Sequence, residues 1–217
     1  NQSRYNNQVS SIYSSNRLKG LNYLKQTPFS DLKVFQTIFK SIPDQLQLQL
    51  ANSSTIRYAQ LFDVPKTVSV FCNRGTSGID GSSSTAVGAA FVSQVPTLLI
   101  TGDLSFFYDS NAFWNAYLKK NFRIIIINNQ GGGIFRILPG QKDTPTYDEY
   151  YETVHKRNAK DLCKSLGVGY SSVSSEWRLK RKLKSFFNPS NHPQVLEIFT
   201  PRKSNDQILL NYFRAMQ

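Results

Sequence analysis

The sequence predicts a single α/β domain with three layers, in which helices cover both faces of a six-stranded, mostly parallel sheet. Strand-like and helix-like segments alternate along most of the 217 residues. Two of the strand-like runs, 97–101 and 123–127, are too apolar to lie half exposed, so both of their faces must be covered. A helix between these two runs completes a βαβ unit, which is typical of a parallel sheet.

The start of the chain differs in composition from the rest. Residues 1–27 open with Asn, Gln and Ser, which predicts a loose N-terminus or the remnant of a linker, although 17–25 fit a short helix. We therefore place the domain at 28–217. Ser30 or Asp31 then starts an amphipathic helix. Leucine alternates with glutamine in a half-buried first strand, at Leu46, Leu48 and Leu50.

The remaining segments continue the alternation. They are predicted as strand 68–72, helix 82–94, strand 97–101, a helix capped by Asp109 that contains Phe113 and Tyr117, strand 123–127, helix 159–166, strand 168–173, a basic helix, strand 195–199 and helix 204–213. The stretch 141–152 is polar, rich in tyrosine and without clear periodicity, so it is either a mobile lid or a long loop.

The chain is strongly basic, with 26 Lys and Arg against 14 Asp and Glu. The densest basic cluster lies on one predicted helix, at Arg178, Lys180, Arg181, Lys182 and Lys184. This pattern favours a solvated helix face, with a nucleic-acid-binding module as the alternative. No segment approaches the run of about 18 apolar residues that a membrane span needs. We expect neither nucleic acid nor membrane as a partner, and Cys72 and Cys163 predict reduced thiols in a cytoplasmic protein.

Polar residues follow the two apolar strands at the same edge of the predicted sheet. A right-handed crossover brings Asp103 close to Asn128 and Asn129, with a solvated carboxylate at Asp103. One carboxylate, one amide and the glycine turn 131–133 offer hard oxygen ligands, which suit Mg²⁺ or Ca²⁺ and not zinc. The glycines also let the backbone approach a phosphate. Taken separately, these residues are more typical of a capping aspartate and a glycine turn without any ligand.

Two further segments predict a binding pocket. The run 52–59 follows a strand and starts a helix, so Ser53 and Arg57 mark either a pocket for a carboxylate or phosphate or an ordinary cap with a surface arginine. The glycine-rich loop 73–81 carries Arg74, and its apolar Ile79 is either a wedge against a ligand ring or a core contact. His155 and His192 lie in different segments without a nucleophile signal, which argues against triad chemistry; neither is assigned a role.

The motifs together resemble those of thiamine-diphosphate (ThDP) enzymes. The ThDP motif consists of GD, a helix, a buried strand, and NN followed by glycines, and this chain has the same order. The motif more often begins GDG, and here Leu104 replaces its second glycine. Within these enzymes the chain is similar to the synthase family of menaquinone biosynthesis, in which GDLS is the usual form. That resemblance covers about residues 30–200 and rests on NSSTIR at 52–57, NRGTSGIDG at 73–81, GDLSFFYDSNA at 102–112 and NNQGGGIF at 128–135.

The resemblance implies a transferase. That family decarboxylates 2-oxoglutarate on ThDP and adds the succinyl carbanion to isochorismate, as a homodimer or homotetramer of three-domain subunits. The chain would be the last, diphosphate-binding domain. No catalytic residue is assignable here, because the family's activating Glu lies in the first domain of a partner subunit, so we expect the chain alone to be inactive. The equivalent domain of an acetolactate synthase-like enzyme is the alternative.

The resemblance also implies a role for each motif residue. Mg²⁺ or Mn²⁺ would be held by Asp103, Asn129 and the carbonyl of Gly131. Cofactor contacts would come from Ser77, Gly78, Ile79, Gly102, Leu104, Ser105, Gly132, Ile134, Phe135 and Leu138. Of these, Ile79 would be the wedge under the bent cofactor, and Ile134, Phe135 and Leu138 its apolar wall. The carboxylates of both substrates would be bound by Ser53, Arg57 and Arg74.

Overall fold

A computed structural model of the chain describes residues 2–140, 142 and 144–217. It contains one six-stranded sheet in the order β2-β1-β3-β4-β6-β5, and all five neighbouring pairs are parallel. The strands are β1 Gln47–Leu50, β2 Ser69–Cys72, β3 Thr97–Gly102, β4 Phe122–Asn128, β5 Gly169–Val173 and β6 Gln194–Phe199. The predicted six-stranded parallel sheet is confirmed.

Helices cover both faces of this sheet. They are α1 Gln2–Gln26, α2 Asp31–Phe39, α3 Ser54–Ala59, α4 Ser82–Val92, α5 Asp103–Tyr108, α6 Ile134–Ile137, α7 Lys160–Ser165, α8 Glu176–Phe186 and α9 Asn205–Met216. Successive side chains of β4 alternate between two cores, because strand side chains point to opposite faces. Ile125 and Ile127 pack with α2, α8 and α9, whereas Ile124 and Ile126 pack with α4, α5 and α7. The predicted three layers are confirmed.

The first strand is more deeply buried than the sequence predicted. β1 lies between β2 and β3, so helices cover both of its faces and even Gln49 is only 6 % exposed. β2 is instead the edge strand, and its Val70 and Phe71 are exposed. The alternation of leucine and glutamine predicts a half-buried strand, and this prediction is wrong for β1. A central parallel strand need not be apolar at every position.

The prediction of a helix capped by Asp109 is wrong. The helix of this crossover is α5, which starts directly after β3, and only a short 3₁₀ turn, Ser110–Phe113, follows it. Asp109 caps a different helix: its carboxylate accepts hydrogen bonds from the Ser84 backbone N–H at 2.7 Å and the Ser84 hydroxyl at 2.6 Å. Because Gly81 has no side chain with which to cap α4, Asp109 satisfies the start of α4 from outside.

The predicted loose terminus is also corrected, since the described residues from Gln2 onwards form the continuous helix α1. The end of α1 is anchored on α9: Leu24 is buried, and the Tyr23 hydroxyl donates to the Ile208 carbonyl at 3.1 Å. Its first turns are exposed. Tertiary packing at one end stabilises a helix that its polar composition alone does not reveal. Whether 1–27 is a linker remnant stays a prediction.

In the part of the chain that the structure describes, no helix is both long enough and apolar enough to cross a bilayer. The two cysteines are unbonded, with Cys163 buried and Cys72 half-buried.

Candidate functional site

A cleft of about 430 Å³ lies at the carboxyl edge of the sheet, where the segments after β1, β2, β3 and β4 meet. Fifteen of the sixteen candidate residues line it: Ser53, Arg57, Arg74, Ser77, Ile79, Gly102, Asp103, Leu104, Ser105, Asn129, Gly131, Gly132, Ile134, Phe135 and Leu138. The exception is Gly78, which borders a separate shallow pocket and accepts a hydrogen bond from Asn52 Nδ2 at 3.2 Å. The structure thus brings the motifs together, while the role of each residue stays a prediction.

Asp103 joins the end of β3 to the glycine turn after β4. Its Oδ1 accepts a hydrogen bond from the Leu104 N–H at 2.8 Å, and its Oδ2 accepts one from the Gly131 N–H at 3.0 Å. Nε2 of His155 lies 3.3 Å from the same Oδ2. These neighbours leave Asp103 only 2 % exposed, so the predicted solvated carboxylate is wrong. Asp103 is a buried carboxylate held by backbone donors.

The two asparagines at the end of β4 use their amides differently. Nδ2 of Asn128 donates to Glu197 Oε1 at 2.7 Å and to the Arg157 carbonyl at 3.0 Å, while its Oδ1 accepts from the Gln130 N–H at 3.1 Å. Asn128 is therefore fully engaged in shaping the turn. Asn129 lines the cleft and donates through Nδ2 to Asp31 at 2.8 Å. Among the described residues, none donates a hydrogen bond to Asn129 Oδ1, which leaves this oxygen for a ligand.

The glycine turn is held against the segment around Glu152. Gly131 has φ +147°, and a Cβ there would lie 2.4 Å from the Glu152 carbonyl oxygen. The Gly132 N–H donates to the same oxygen at 2.6 Å. Only glycine combines this backbone conformation with such a close approach. Glycine is therefore needed at position 131 to form the turn itself, besides its predicted role of letting a phosphate approach the backbone.

The two candidate arginines, Arg57 and Arg74, also line the cleft. Both side chains belong to exposed residues, and each is anchored by one hydrogen bond to its own neighbourhood. Arg57 Nη1 donates to the Ser53 carbonyl at 2.9 Å, and Arg74 Nη1 donates to Asn52 Oδ1 at 2.6 Å. No described carboxylate pairs with either guanidinium, so both retain donors for an anion in the cleft.

Apolar side chains form the rest of the lining. Ile134 is half-buried, whereas Phe135 and Leu138 are 36 % and 47 % exposed, although they belong to one short helix and its C-cap. In the same lining, the Ser105 hydroxyl donates to the Ile79 carbonyl at 2.5 Å and fixes the loop that carries the predicted wedge. Exposed apolar side chains that share a cleft with a fixed apolar side chain suit an aromatic ligand ring.

The stretch predicted as a lid or long loop is ordered around one buried carboxylate. Gln141 and Asp143 lie outside the described residues, and Tyr147–Tyr151 form a π-helical turn. Glu152 accepts hydrogen bonds from the guanidinium groups of both Arg136 and Arg202, with each Nε within 2.9 Å of Oε1. Burial acts to raise the pKa of Glu152, but these bonds and charges outweigh it, so the pKa is lowered. The network holds Tyr150, Tyr151 and Thr153 at the cleft.

Three polar residues at the site are not predicted from the sequence, namely Asp31, Asn52 and His155. Burial raises the pKa of Asp31 to about 6, despite hydrogen bonds from Thr200 and Asn129. In sequence Asp31 is an ordinary first-turn carboxylate, and nothing near it indicates that α2 points at the cleft. Asn52 belongs to the NSSTIR motif at 52–57, but its role at the site depends on its hydrogen bond with Arg74, which the sequence does not reveal. From the sequence, His155 is a candidate only for triad chemistry, whereas in the structure its Nε2 lies 3.3 Å from Asp103 Oδ2.

The donor set fits a hard divalent cation with a phosphate ligand. It consists of one carboxylate at Asp103, one uncommitted amide oxygen at Asn129 and the carbonyl of Gly131, which accepts one hydrogen bond from Gly133 and keeps a second lone pair. Within the described ranges no three His, Cys, Asp or Glu side chains gather in a metal-binding cluster. So few protein ligands suit Mg²⁺, which completes its shell with phosphate oxygens and water.

Comparisons with known proteins agree with this geometry. Residues 52–198 match the family described as thiamine pyrophosphate enzyme, C-terminal TPP binding domain. Relatives called 2-succinyl-5-enolpyruvyl-6-hydroxy-3-cyclohexene-1-carboxylate synthase are similar: the one from Christiangramia forsetii is 54 % identical over 90 % of this chain and 34 % of the relative. The Flavobacterium johnsoniae relative is 49 % identical over 99 % of this chain and 39 % of its own length.

The Flavobacterium psychrophilum relative of the same name is 55 % identical over 89 % of this chain and 35 % of its own length. The chain thus spans little more than a third of the curated relatives that it matches. The family match covers more than half of the chain and includes the cleft residues at the ends of β1 to β4. The chain therefore belongs to the thiamine pyrophosphate enzymes, as their C-terminal TPP-binding domain.

Proposed function

We propose that the chain is the cofactor-binding domain of a synthase that decarboxylates 2-oxoglutarate and transfers the succinyl group to isochorismate. One observation carries the proposal: a single cleft combines the donors for a cation and diphosphate with two arginines that have no carboxylate partner among the described residues. Both substrates are dicarboxylates, and a guanidinium binds a carboxylate in a bidentate manner. The synthase relatives support the same reading.

The cation and diphosphate would be held at the glycine turn. Asp103 Oδ2, Asn129 Oδ1 and the Gly131 carbonyl are the proposed ligands of Mg²⁺ or Mn²⁺. The diphosphate would contact Gly102, Leu104, Ser105 and Gly132 at the start of α5 and in the turn. Since the Ser105 hydroxyl donates to Ile79, Ser105 would offer the diphosphate its backbone N–H.

The reacting part of the cofactor would lie between Ile79 and the apolar wall. ThDP, when bound, supplies the carbanion chemistry of decarboxylation and carbon–carbon bond formation. The chain's own contribution would be to orient the ring with Ile79 and Ser77 and to exclude water with Ile134, Phe135 and Leu138. Once the bound cofactor covers this apolar wall, the exclusion of water would strengthen the electrostatic contacts inside the cleft.

Substrate recognition would fall to Ser53, Arg57 and Arg74. The hydrogen bond from Arg74 to buried Asn52 fixes one end of the guanidinium and leaves its other donors toward the cleft. A pre-positioned guanidinium loses less conformational freedom when the substrate carboxylate arrives. The two arginines favour this assignment over an acetolactate synthase-like enzyme, whose substrates carry fewer carboxylates.

The activity would require parts that this chain does not itself supply. We infer that an activating Glu comes from another domain of a second subunit, in a homodimer or homotetramer, and that the protein works in the cytoplasm. The chain alone should therefore show no turnover. Nucleic acid is not a proposed partner, because the basic cluster of α8 lies on a solvated helix face and not at the cleft.

A chimera tests the proposal. The chain is joined to the part of the Flavobacterium johnsoniae relative that lies outside the matched region, and turnover of 2-oxoglutarate with isochorismate is measured. The chimera should be active only with ThDP and Mg²⁺, and the separate chain should be inactive. Turnover by the chain alone, in a preparation free of host enzyme, would contradict the proposed division of labour. Activity of the chimera with pyruvate in place of 2-oxoglutarate would favour the acetolactate synthase-like alternative.

A further inference from the structure

The amide of Asn129 is fixed from outside the turn that carries it. Its Nδ2 donates to Asp31 Oδ2 at 2.8 Å, although the two residues are 98 positions apart in the sequence. Asp31 is 2 % exposed and Asn129 8 % exposed, so water does not compete for this contact. A hydrogen bond to a buried carboxylate is stronger than one between neutral groups.

Asp31 is itself rigidly held. The Thr200 hydroxyl donates to its Oδ1 at 2.5 Å, and the Asp31 N–H donates to Asn205 Oδ1 at 2.8 Å. Ser30 caps the helix that begins at Asp31, since its hydroxyl accepts from the Lys33 N–H. Asp31 is therefore fixed to the segment after β6 through its carboxylate and to α9 through its backbone N–H, at the start of a capped α2.

The direction of the hydrogen bond decides which end of the Asn129 amide faces the cleft. An ionised carboxylate only accepts hydrogen bonds, so it selects Nδ2 and turns Oδ1 away from itself. Without such a partner an asparagine amide can rotate and present its Nδ2 donors, which repel a cation. Asn129 lines the cleft, and its Oδ1 is left without a donor among the described residues.

We infer that Asp31 is a positioning residue, which orients the Asn129 amide so that its oxygen, and not its nitrogen, is offered to a divalent cation. The orientation of the Asn129 amide is inferred from the geometry alone, whereas the binding of a cation by its oxygen depends on the proposed function. Asn128 makes the matching comparison, because Glu197 holds its Nδ2 on the other side of β4. Two buried carboxylates thus fix two neighbouring amides for different roles. Asp31 leaves the Asn129 oxygen for a ligand, and Glu197 holds Asn128 in the turn.

Side-chain amide NMR of the chain itself, labelled with ¹⁵N-asparagine and without cofactor, tests the orientation. The Nδ2 protons of Asn129 and Asn128 should both be protected from solvent exchange in the parent. Asp31→Ala should speed exchange at Asn129 by about ten- to hundredfold, the factor expected for a lost charge-assisted bond. Asn128 should stay protected and show that the fold is intact. The reciprocal control, Glu197→Gln, should disturb Asn128 and leave Asn129 unchanged.

An isosteric variant covers the case in which Asp31→Ala does not fold. Asp31→Asn can offer either its oxygen or its nitrogen to Asn129, since the Thr200 hydroxyl both donates and accepts. Asn129 should then show two amide environments instead of one. The inference is overturned if Asn129 stays protected in a folded Asp31→Ala chain, or keeps one unchanged environment in Asp31→Asn.

Titration of Mg²⁺ in the presence of ThDP, followed by thermal shift, tests the consequence for the cation. Asp31→Asn should raise the half-saturating Mg²⁺ concentration by about ten- to hundredfold, as is usual when a residue behind a metal ligand is changed. An equal response of parent and variant would refute a role for Asp31 toward the cation. A parent without any shift, together with the predicted NMR result, would instead count against cofactor binding by this chain and leave the orientation supported.

Discussion

Replacing Glu152 by glutamine should destabilise the chain strongly, because one buried carboxylate neutralises two arginines. The Glu152 side chain is 1 % exposed, and those of Arg136 and Arg202 are 5 % and 16 % exposed. Glutamine keeps the shape but loses the charge and two of the acceptor positions. Asp148 Oδ1 remains near both guanidinium groups, at 3.3 Å from Arg136 Nη2 and 2.6 Å from Arg202 Nη2.

Breaking a buried ion pair by removing one partner costs about 3–5 kcal/mol. Because Asp148 still pairs with both arginines, we expect a loss near the lower limit, about 3 kcal/mol. For a chain of this size that free energy corresponds to a fall in Tm of about 6–12 °C. Thermal and urea unfolding measure it. The matched control is Glu149→Gln, which removes the same charge from an exposed position three residues away and should change Tm little. Equal, small effects of the two variants would refute the claim that Glu152 organises this segment.

Three further predictions follow from the same site. Because the pKa of Glu152 is lowered, its carboxylate stabilises the fold above the ordinary glutamate pKa of about 4.3, and this contribution should disappear as pH falls through the lower folded pKa. When unfolding is measured against pH, Glu152→Gln should therefore lose less stability in acid than the parent does. Identical pH profiles of stability would contradict this prediction. Gly131→Ala should lower Tm more than Gly140→Ala. Both glycines have positive φ, but a Cβ at position 131 would meet the Glu152 carbonyl, whereas a Cβ at position 140 would have nothing within 4 Å. Equal decreases in Tm would show that backbone strain alone matters. In the active chimera, Arg74→Ala should reduce kcat/KM for substrate by about ten- to hundredfold while ThDP affinity holds, and the reverse outcome would make Arg74 a diphosphate ligand.

The fold was largely predictable because its strands are continuous apolar runs or clear alternations. β3 and β4 could be assigned from composition alone, and their pairing followed from the handedness of the crossover. What failed depended on tertiary contacts. Asp109 looks like a helix cap in sequence, and it is one, but for α4 and not for the segment that follows it. The helical state of α1 depends on α9, at the other end of the chain.

The site was predictable where its residues belong to one local motif. Asp103, Asn129 and Gly131 fall at strand ends, so topology alone brings them together. Asp31 and Glu152 were not predictable as site residues, because their contacts join distant parts of the sequence: Asp31 pairs with Asn129 across 98 positions, and Glu152 with Arg202 across 50. Burial of Asp103 was misjudged for a similar reason: the donors that enclose it include the Gly131 N–H from the next strand's turn.

Calorimetric titration of ThDP into the chimera, with and without Mg²⁺, tests most directly whether the cleft holds the cofactor through a cation at Asp103. Asp103→Asn is the variant to compare, because it keeps the shape of a side chain that is 2 % exposed while it removes the charge and turns one acceptor oxygen into an NH₂ donor. The unfolding temperature of each protein without ligand shows whether the variant is folded. We expect Mg²⁺-dependent binding in the parent and none in Asp103→Asn. Binding of equal affinity in the folded variant would place the cation elsewhere and contradict the assignment of this cleft.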